Sequence, residues 1–324
     1  MTHNKISQND IICHYIDHSE IDTFMMATLS KKFKSELLKR VNLHECLILT
    51  TCHRIEIYST NRCRLDLPTF FNLSTKKING VTDVLYRMVE IGCGLKSKIL
   101  GERSIYFQLQ NALFPLFDKN PFLFLGSKAL NIANILRTKY NFFAINDYEQ
   151  IVINSFSNNN GMRRPDSLLI IGGGMLGKKI AESEIQNMYK QVVIVTRNPK
   201  KVKKSIANTV KAYSYDMIPR KIFNSPYHSF IATDYCSEVY KKKIIGIFEN
   251  NSNIKTIDLS AIPLRNKFDP MDDNYITMYS KTYMKEVKKN NELLMDKIKP
   301  LSHEARELVD DYAVKTMRTK EDVK

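Results

Sequence analysis

The chain has 324 residues, of which 43% are hydrophobic and 26% charged, so it is long enough for more than one hydrophobic core and is not a single small module. Its 49 Lys and Arg outweigh 34 Asp and Glu, and the net charge of +15 favours a polyanionic partner such as nucleic acid. No apolar run reaches the roughly 18 residues of a membrane span, and MTHNKISQND lacks the pattern of a signal peptide. The six Cys lack paired spacing, so we expect a cytoplasmic protein without a disulfide framework or membrane contact.

The N-terminal half alternates helical and extended patterns. Apolar residues at three- and four-residue spacing predict a helix over 20–42. The segment LHECLILTT (43–51) predicts a strand, and after a polar break Ile55 and Ile57 alternate with polar residues in a second strand. Cys52 therefore lies at a bend between two predicted strands. Helical patterns then follow over 81–92, 98–115, 122–140 and 147–157.

The pattern changes at the polar segment SNNNGMRRPDS (157–167), which predicts a domain boundary. Beyond it helices, the first over about 175–189, alternate with strands at 168–171, 192–196, 228–233 and 256–260. This alternation predicts βαβ units and a parallel sheet.

A single long helix is predicted from Tyr283 onward, and we expect Pro300 to kink or interrupt it. Its seam has the spacing of a coiled coil, through Val287, Asn291, Leu294, Ile298, Leu301, Ala305, Leu308 and Tyr312. That spacing favours a homodimer paired through this helix. The alternative is an amphipathic helix that packs on its own domain.

A glycine-rich turn follows the first strand of the second half. Its residues, Gly172, Gly173, Gly174, Met175, Leu176 and Gly177, fit GxGxxG between a strand and a helix, where the helix N-terminus faces an anion. This context predicts dinucleotide binding. The alternative is a glycine-rich turn without a ligand.

The end of the next strand indicates which dinucleotide would bind. NAD sites place an Asp or Glu there, whereas this chain has Thr196, Arg197 and Asn198, with Lys200 close by. Because this set suits a 2′-phosphate, we predict NADP. The alternative is a solvated basic turn.

Cys52 is the candidate nucleophile, because nearby cations would lower its pKa from about 8.5 toward that of a reactive thiolate. The alternative is a small buried hydrophobic residue. His44, Cys46 and Cys63 are close in sequence but lack the CxxC pairs of a zinc site, so we expect no metal.

Four segments resemble motifs of the glutamyl-tRNA reductase family, in family order. TCHRIEIY (51–58) resembles TCNRTE followed by an apolar residue and Tyr. GLKSKILGE (94–102), with Gln108, resembles GLDSxxLGEPQIxxQ. LRT (136–138) resembles VRT, and IDLSAIP (257–263) resembles IDxAVPR. The resemblance covers roughly residues 10–320.

The resemblance implies an α/β protein with three parts: an N-terminal α/β catalytic domain (1–157), a Rossmann-type doubly wound NADP-binding domain (158–280) and a long C-terminal helix (281–324). It implies reduction of glutamyl-tRNA to glutamate 1-semialdehyde, in tetrapyrrole (porphyrin) biosynthesis. Cys52 would attack the aminoacyl ester, and NADPH would reduce the resulting thioester. Such an aldehyde is unstable, which suggests a downstream enzyme that uses it.

The resemblance also implies a set of residues around the aminoacyl group. Arg54 would suit a carboxylate and Glu102 an ammonium. The full substrate-binding set is Thr51, His53, Arg54, Ser97, Glu102, Arg103, Ser104 and Gln108.

The chain departs from the family pattern at several of these positions. Arg87 replaces an active-site His, and an Arg cannot shuttle protons at neutral pH. His53 is a candidate for the lost imidazole, the alternative being a polar loop residue. Further departures are His53 for Asn, Ile55 for Thr, Lys96 for Asp and Arg103-Ser104 for Pro-Gln.

These departures leave two alternative functions open. One is a diverged paralogue that reduces another aminoacyl-tRNA in a specialised pathway, and the other is an inactive relative that binds tRNA or protein. The retained nucleophile and glycine turn together speak against inactivity. Family members continue past the long helix into a helical dimerisation domain, which we expect this chain to lack.

Overall fold

The computed structural model describes residues 11–36, 46–60, 75–116, 120–157, 165–223, 225–233, 238–249, 253–265 and 269–321. The chain forms two compact units, one of Met1–Ile145 with Asn290–Lys324 and one of Asn146–Lys289. The three functional domains predicted from the sequence, over 1–157, 158–280 and 281–324, stay a prediction. None of the helices in the described ranges is long and apolar enough to cross a membrane.

The first unit contains a four-stranded antiparallel sheet in the order β2-β3-β1-β4. Its strands are β1 (Ile11–Asp17), β2 (Cys46–Thr50), β3 (Arg54–Thr60) and β4 (Lys76–Asn79). The two strands predicted on either side of Cys52 are confirmed, whereas β1 and β4 had no sequence prediction. Helix α1 (Thr23–Glu36) confirms the first predicted helix, although it begins three residues later than predicted, and residues 37–42 of the prediction lie outside the described residues.

Three further helices cover this unit: α2 (Val81–Cys93), α3 (Ser104–Leu113) and α4 (Pro121–Lys139). Asn120 caps α4, since its side chain accepts a hydrogen bond from the Phe122 N–H at 2.9 Å. The helix predicted over 98–115 begins only at Ser104, because residues 98–103 form a turn held by other parts of the unit. One core joins the sheet to these helices.

The long helix is α9 (Lys281–Glu321). It continues through Pro300, so this residue does not interrupt the helix, and the kink that was the other expectation stays a prediction. From residue 290 onward its apolar side chains pack into the core of the first unit, with Leu294, Leu301, Ala305 and Val309 buried there. The seam therefore packs against its own chain, which was the alternative to pairing with a second copy.

The second unit contains a six-stranded parallel sheet in the order β10-β9-β8-β5-β6-β7. The strands are β5 (Ser167–Ile171), β6 (Gln191–Val195), β7 (Lys211–Tyr213), β8 (Tyr227–Ile231), β9 (Asn253–Asp258) and β10 (Tyr275–Thr277). This order places the first strand, β5, at the centre, as in dinucleotide-binding folds. The predicted α/β class with a Rossmann-type sheet is confirmed.

The helices of the second unit are α5 (Tyr148–Ser157), α6 (Met175–Glu182), α7 (Pro199–Lys203) and α8 (Glu238–Glu249). The segment predicted as one helix over 175–189 divides at Ser183. Its hydroxyl accepts a hydrogen bond from the Ile185 N–H at 3.3 Å and begins a separate 3₁₀ turn, Glu184–Met188. The glycine turn joins β5 to α6, at the point where the order of the strands reverses.

Candidate active site

Cys52 lies at a hydrogen-bonded bend between two antiparallel strands. The Thr51 N–H donates to the Arg54 carbonyl at 2.9 Å, and the His53 N–H donates to Thr51 Oγ1 at 3.0 Å. Thr51 and His53 are buried, whereas Cys52 is only partly buried. The bend therefore fixes the backbone on both sides of a thiol that solvent can reach.

His53 is a buried histidine that stays neutral. Its ring meets the ring of His18 edge to face, with centroids 5.7 Å apart, and its carbonyl accepts the His18 N–H at 2.9 Å. Burial lowers the pKa of His53 to about 3, and the charges of His18, Lys98 and Arg54 add to this effect. An imidazole with so low a pKa is a weak base and holds no proton at neutral pH, so His53 is a poor replacement for the family's histidine.

Arg54 presents a buried guanidinium to the site. Its side chain is 1% exposed, and its Nη2 donates to the Lys96 carbonyl. Nη1 lies 3.5 Å from Glu56 Oε1, but neither Nη1 nor Nε makes a hydrogen bond to any of the described residues. A buried cation with donors left over favours an anionic ligand, because an unsatisfied buried donor is costly.

Arg87 is bound in a buried ion network and is not an acid or base. Its Nη2 lies 2.8 Å from Asp17 Oδ2 and 2.8 Å from Glu56 Oε1, and its guanidinium stacks on the Tyr15 ring at 4.0 Å. Burial alone would lower the pKa of Arg87, but Glu56 and Asp17 raise it well above its usual range. Arg87, the position at which the resemblance would place a histidine, thus neutralises two buried carboxylates.

The loop between α2 and α3 brings a second group of predicted residues to the same unit. Arg137 holds this loop through its Nη1, which donates to the Gly92 and Glu102 carbonyls at 3.1 and 3.0 Å, and its Nη2, which donates to Gly101 at 2.8 Å. Asn291 holds it from α9 by accepting the Leu100 N–H at 2.9 Å. Neither residue was predicted as part of the site, although Arg137 stands in one of the family motifs.

Glu102 is a buried carboxyl, 6% exposed, that accepts the Ser104 hydroxyl at 2.7 Å. Burial raises its pKa, while the Ser104 and Ser97 hydroxyls and the charges of Arg54 and Arg137 oppose that rise. Ser97, Glu102, Ser104 and Arg54 therefore share one neighbourhood.

The two other predicted substrate residues are less closely tied to it. Arg103 is exposed and stacks on the Phe143 ring at 5.2 Å, and Gln108 is half-buried on α3.

In the part of the chain that the structure describes, no three His, Cys, Asp or Glu side chains form a metal site. His44 and Cys63 lie outside that part.

The glycine turn of the second unit has the shape that a bound dinucleotide requires. Gly172 has a φ of +117°, and a Cβ on Gly177 would lie 2.0 Å from the Gly172 carbonyl oxygen, so the turn and helix meet too closely for any side chain. A Cβ on Gly174 would meet no atom within 4 Å. The open space at Gly174, before the N-terminus of α6, fits a pyrophosphate. Met175 is exposed and Leu176 half-buried at the start of that helix.

The end of β6 carries the residues predicted to select NADP. The Thr196 N–H donates to the Tyr213 carbonyl at 2.9 Å, and the Asn198 side chain accepts the Lys201 N–H at 3.1 Å. Arg197 is exposed between them. No carboxylate occurs from Thr196 to Lys204. The hydrogen-bond donors and the Arg197 cation therefore fit a phosphate on the ribose.

Comparison with known proteins finds matches to a family model and to several sequence relatives. Residues 16–118 match the family model "Glutamyl-tRNAGlu reductase, N-terminal domain". Protein Nfe2 of Rhizobium meliloti is 28% identical over 89% of this chain and 94% of its own length. Glutamyl-tRNA reductases of Acetivibrio thermocellus and Thermosipho melanesiensis are each 26% identical, over 56% and 82% of this chain and 59% and 70% of their own.

The solved glutamyl-tRNA reductase from Methanopyrus kandleri aligns with 96% of this chain and 82% of its own, at a TM-score of 0.47 and 16% identity. The fold and site define an α/β protein with a partly buried thiol beside buried charged side chains in one unit and a dinucleotide-type glycine turn in the other. The family model and the sequence relatives show that this chain is similar to proteins of the glutamyl-tRNA reductase family.

Proposed function

We propose that this protein reduces an aminoacyl-tRNA with NADPH, that glutamyl-tRNA is the substrate, and that Cys52 is the nucleophile. Two neighbouring features carry the proposal. Cys52 is partly accessible and lies on a fixed bend. Two residues further on, the buried guanidinium of Arg54 keeps two nitrogens without a hydrogen-bond acceptor among the described residues. The glutamyl group has a side-chain carboxylate that such a guanidinium would bind.

The first unit carries out acyl transfer in this proposal. The Cys52 thiolate attacks the ester carbonyl, the bond to the ribose oxygen of the tRNA breaks, and the acyl group stays on sulfur as a thioester. Arg54 orients the side-chain carboxylate, while Glu102 faces the α-ammonium. The net charge of +15 attracts the tRNA backbone.

The second unit binds the cofactor in this proposal. The glycine turn holds the pyrophosphate of NADPH, and Thr196, Arg197 and Asn198 bind its 2′-phosphate. Bound there, NADPH would supply a hydride for reduction of the thioester to an α-amino aldehyde, with the Cys52 sulfur leaving as a thiolate. Because such an aldehyde is unstable, we propose that a second enzyme takes it up.

A single-turnover reaction with glutamyl-tRNA and NADPH tests this function. We expect tRNA deacylation and NADPH oxidation in equal amounts, and loss of both in Cys52→Ser. The control is Cys46→Ala, which removes a buried thiol from the neighbouring strand and should keep both signals. Turnover that persists in Cys52→Ser, or no deacylation of any aminoacyl-tRNA that binds, would overturn the proposal, the latter in favour of a binding protein.

A diverged paralogue that reduces a different aminoacyl-tRNA is the second candidate. It is favoured by the Ser104 hydroxyl, which occupies one oxygen of Glu102 at the position where the family has Pro-Gln. The Ser104 hydrogen bond leaves Glu102 fewer free acceptor sites for the α-ammonium of the aminoacyl group. Parallel single-turnover reactions with a panel of aminoacyl-tRNAs separate the two candidates, because turnover of glutamyl-tRNA alone would exclude the second.

A further inference from the structure

Three buried polar side chains of strand β3 share one face of the sheet, because alternate residues of a strand point the same way. They are Arg54, Glu56 and Tyr58, and each is at most 1% exposed. Glu56 lies between the other two, so the Arg54 guanidinium is a neighbouring cation on the same strand. A buried carboxylate and a buried guanidinium placed in this way would ordinarily form a close, hydrogen-bonded pair.

Glu56 does not form that pair, because other donors occupy both of its oxygens. Arg87 Nη2 donates to Glu56 Oε1 at 2.8 Å, and the Tyr58 hydroxyl donates to Oε2 at 2.6 Å. Arg54 Nη1 stays 3.5 Å from Oε1 and makes no hydrogen bond to any described residue. Arg87 therefore takes the place at Glu56 that Arg54 would otherwise fill.

Asp17 is the second carboxylate beside Arg54, which it faces in the register of β1 and β3. Its Oδ2 accepts from Arg87 Nη2 at 2.8 Å. Its Oδ1 accepts the Ser19 N–H at 3.0 Å and the Ser19 hydroxyl at 2.5 Å. Arg87 thus binds both carboxylates that lie next to Arg54, and Asp17 has a further anchor at Ser19.

We propose that Arg87 is a positioning residue that keeps the Arg54 guanidinium available for the side-chain carboxylate of the substrate. The inference rests on the proposed function, in which Arg54 binds that carboxylate. Arg87 acts through Glu56. Without Arg87, Glu56 would turn to Arg54 Nη1, because a buried charge that has lost its partner is costly. The substrate carboxylate would then compete with Glu56 for the same guanidinium.

Two double variants with the same change in charge test this role. Each removes the Arg87 cation and one of the carboxylates that it binds. Arg87→Met/Asp17→Asn leaves Glu56 ionised and free to turn to Arg54. Arg87→Met/Glu56→Gln removes the carboxylate that would capture Arg54, while Asp17 keeps its hydrogen bonds from Ser19. Arg87→Leu in place of Arg87→Met gives a second pair of the same design in case either variant does not fold.

The first readout is the position of Arg54 in crystal structures of both variants, which requires neither tRNA nor NADPH. In Arg87→Met/Asp17→Asn the distance from Arg54 Nη1 to Glu56 Oε1 should shorten from 3.5 Å to about 2.8 Å, the length of a charge-assisted hydrogen bond. In Arg87→Met/Glu56→Gln the Arg54 side chain should keep its place on the Lys96 carbonyl.

The second readout is the ratio of kcat/KM for glutamyl-tRNA to kcat/KM for glutaminyl-tRNA, since the two substrates differ in a side-chain carboxylate and its amide. This ratio should fall about tenfold in Arg87→Met/Asp17→Asn and stay near the wild-type value in Arg87→Met/Glu56→Gln. A merely structural role of Arg87 would affect both variants alike.

Three results would overturn the inference: an unchanged distance between Arg54 and Glu56 in Arg87→Met/Asp17→Asn, an unchanged ratio in that variant, or an equal fall of the ratio in both variants. A shortened distance in a protein whose wild type does not turn over glutamyl-tRNA would support the role of Arg87 and overturn only the proposed function.

Discussion

The Arg87 network allows a stability prediction with a worked magnitude. Arg87→Met removes a guanidinium whose Nη2 lies 2.8 Å from both Asp17 Oδ2 and Glu56 Oε1, with all three side chains at most 6% exposed. Both carboxylates would then lose this partner in a buried site. Breaking a buried ion pair in this way costs about 3–5 kcal/mol, which at about 2–4 °C per kcal/mol lowers the Tm by roughly 6–20 °C.

The effect should depend on pH in a defined direction. Burial raises the pKa of Asp17, but hydrogen bonds from Ser19 and Arg87 outweigh it, so this pKa lies well below its usual range. A carboxyl with a lowered pKa in the folded state stabilises the fold above its unfolded pKa of about 3.9, and this stabilisation is lost as pH falls toward the folded value. The Tm difference between wild type and Arg87→Met should therefore be largest at pH 7 and shrink below about pH 4.

Thermal unfolding followed by circular dichroism measures both effects. The control is Arg306→Met, because Arg306 pairs with Asp83 at 2.7 Å on the surface of the same unit, with both side chains more than 40% exposed. Such a pair contributes at most about 1 kcal/mol. Equal Tm losses in the two variants, or a Tm for Arg87→Met within about 2 °C of wild type at pH 7, would refute the buried network.

Four further predictions concern other parts of the molecule. Glu102→Gln should raise the Tm more at pH 7 than at pH 4. Burial raises the pKa of Glu102, so the fold loses stability as this carboxyl ionises. An equal gain in Tm at both pH values would contradict this. Asn291→Ala should lower the free energy of urea unfolding by about 1–3 kcal/mol and lower kcat, because the Leu100 N–H loses its acceptor. Unchanged stability would show that the loop is held without Asn291. Gly174→Val should weaken NADPH binding at least tenfold in a fluorescence titration while the Tm stays within about 2 °C, because its Cβ enters open space, and unchanged binding would count against the cofactor site. Arg197→Glu should shift preference from NADPH toward NADH in the same titration, and an unchanged preference would exclude its role at the 2′-phosphate.

Features that depend on neighbouring residues could be predicted from the sequence. The glycine turn follows from a buried strand, three glycines and a helix start within about ten residues, and the parallel sheet follows from alternating strands and helices. The bend at Cys52 was predictable for the same reason, because the polar residues 51–54 separate two apolar runs. Local periodicity and turn chemistry encode such features directly.

Tertiary structure alone decided the partners of charged and extended segments that are distant in sequence. Arg87 meets Asp17 and Glu56 across separations of 70 and 31 residues, and no local pattern specifies such a pairing. The strand β1 pairs with both β3 and β4, yet its short sequence IICHYID has no clear alternation. The seam of α9 has the spacing of a coiled coil, but a single amphipathic pattern serves equally for a second helix or for the helix's own core. Only the packing of the chain showed that its own core takes that face.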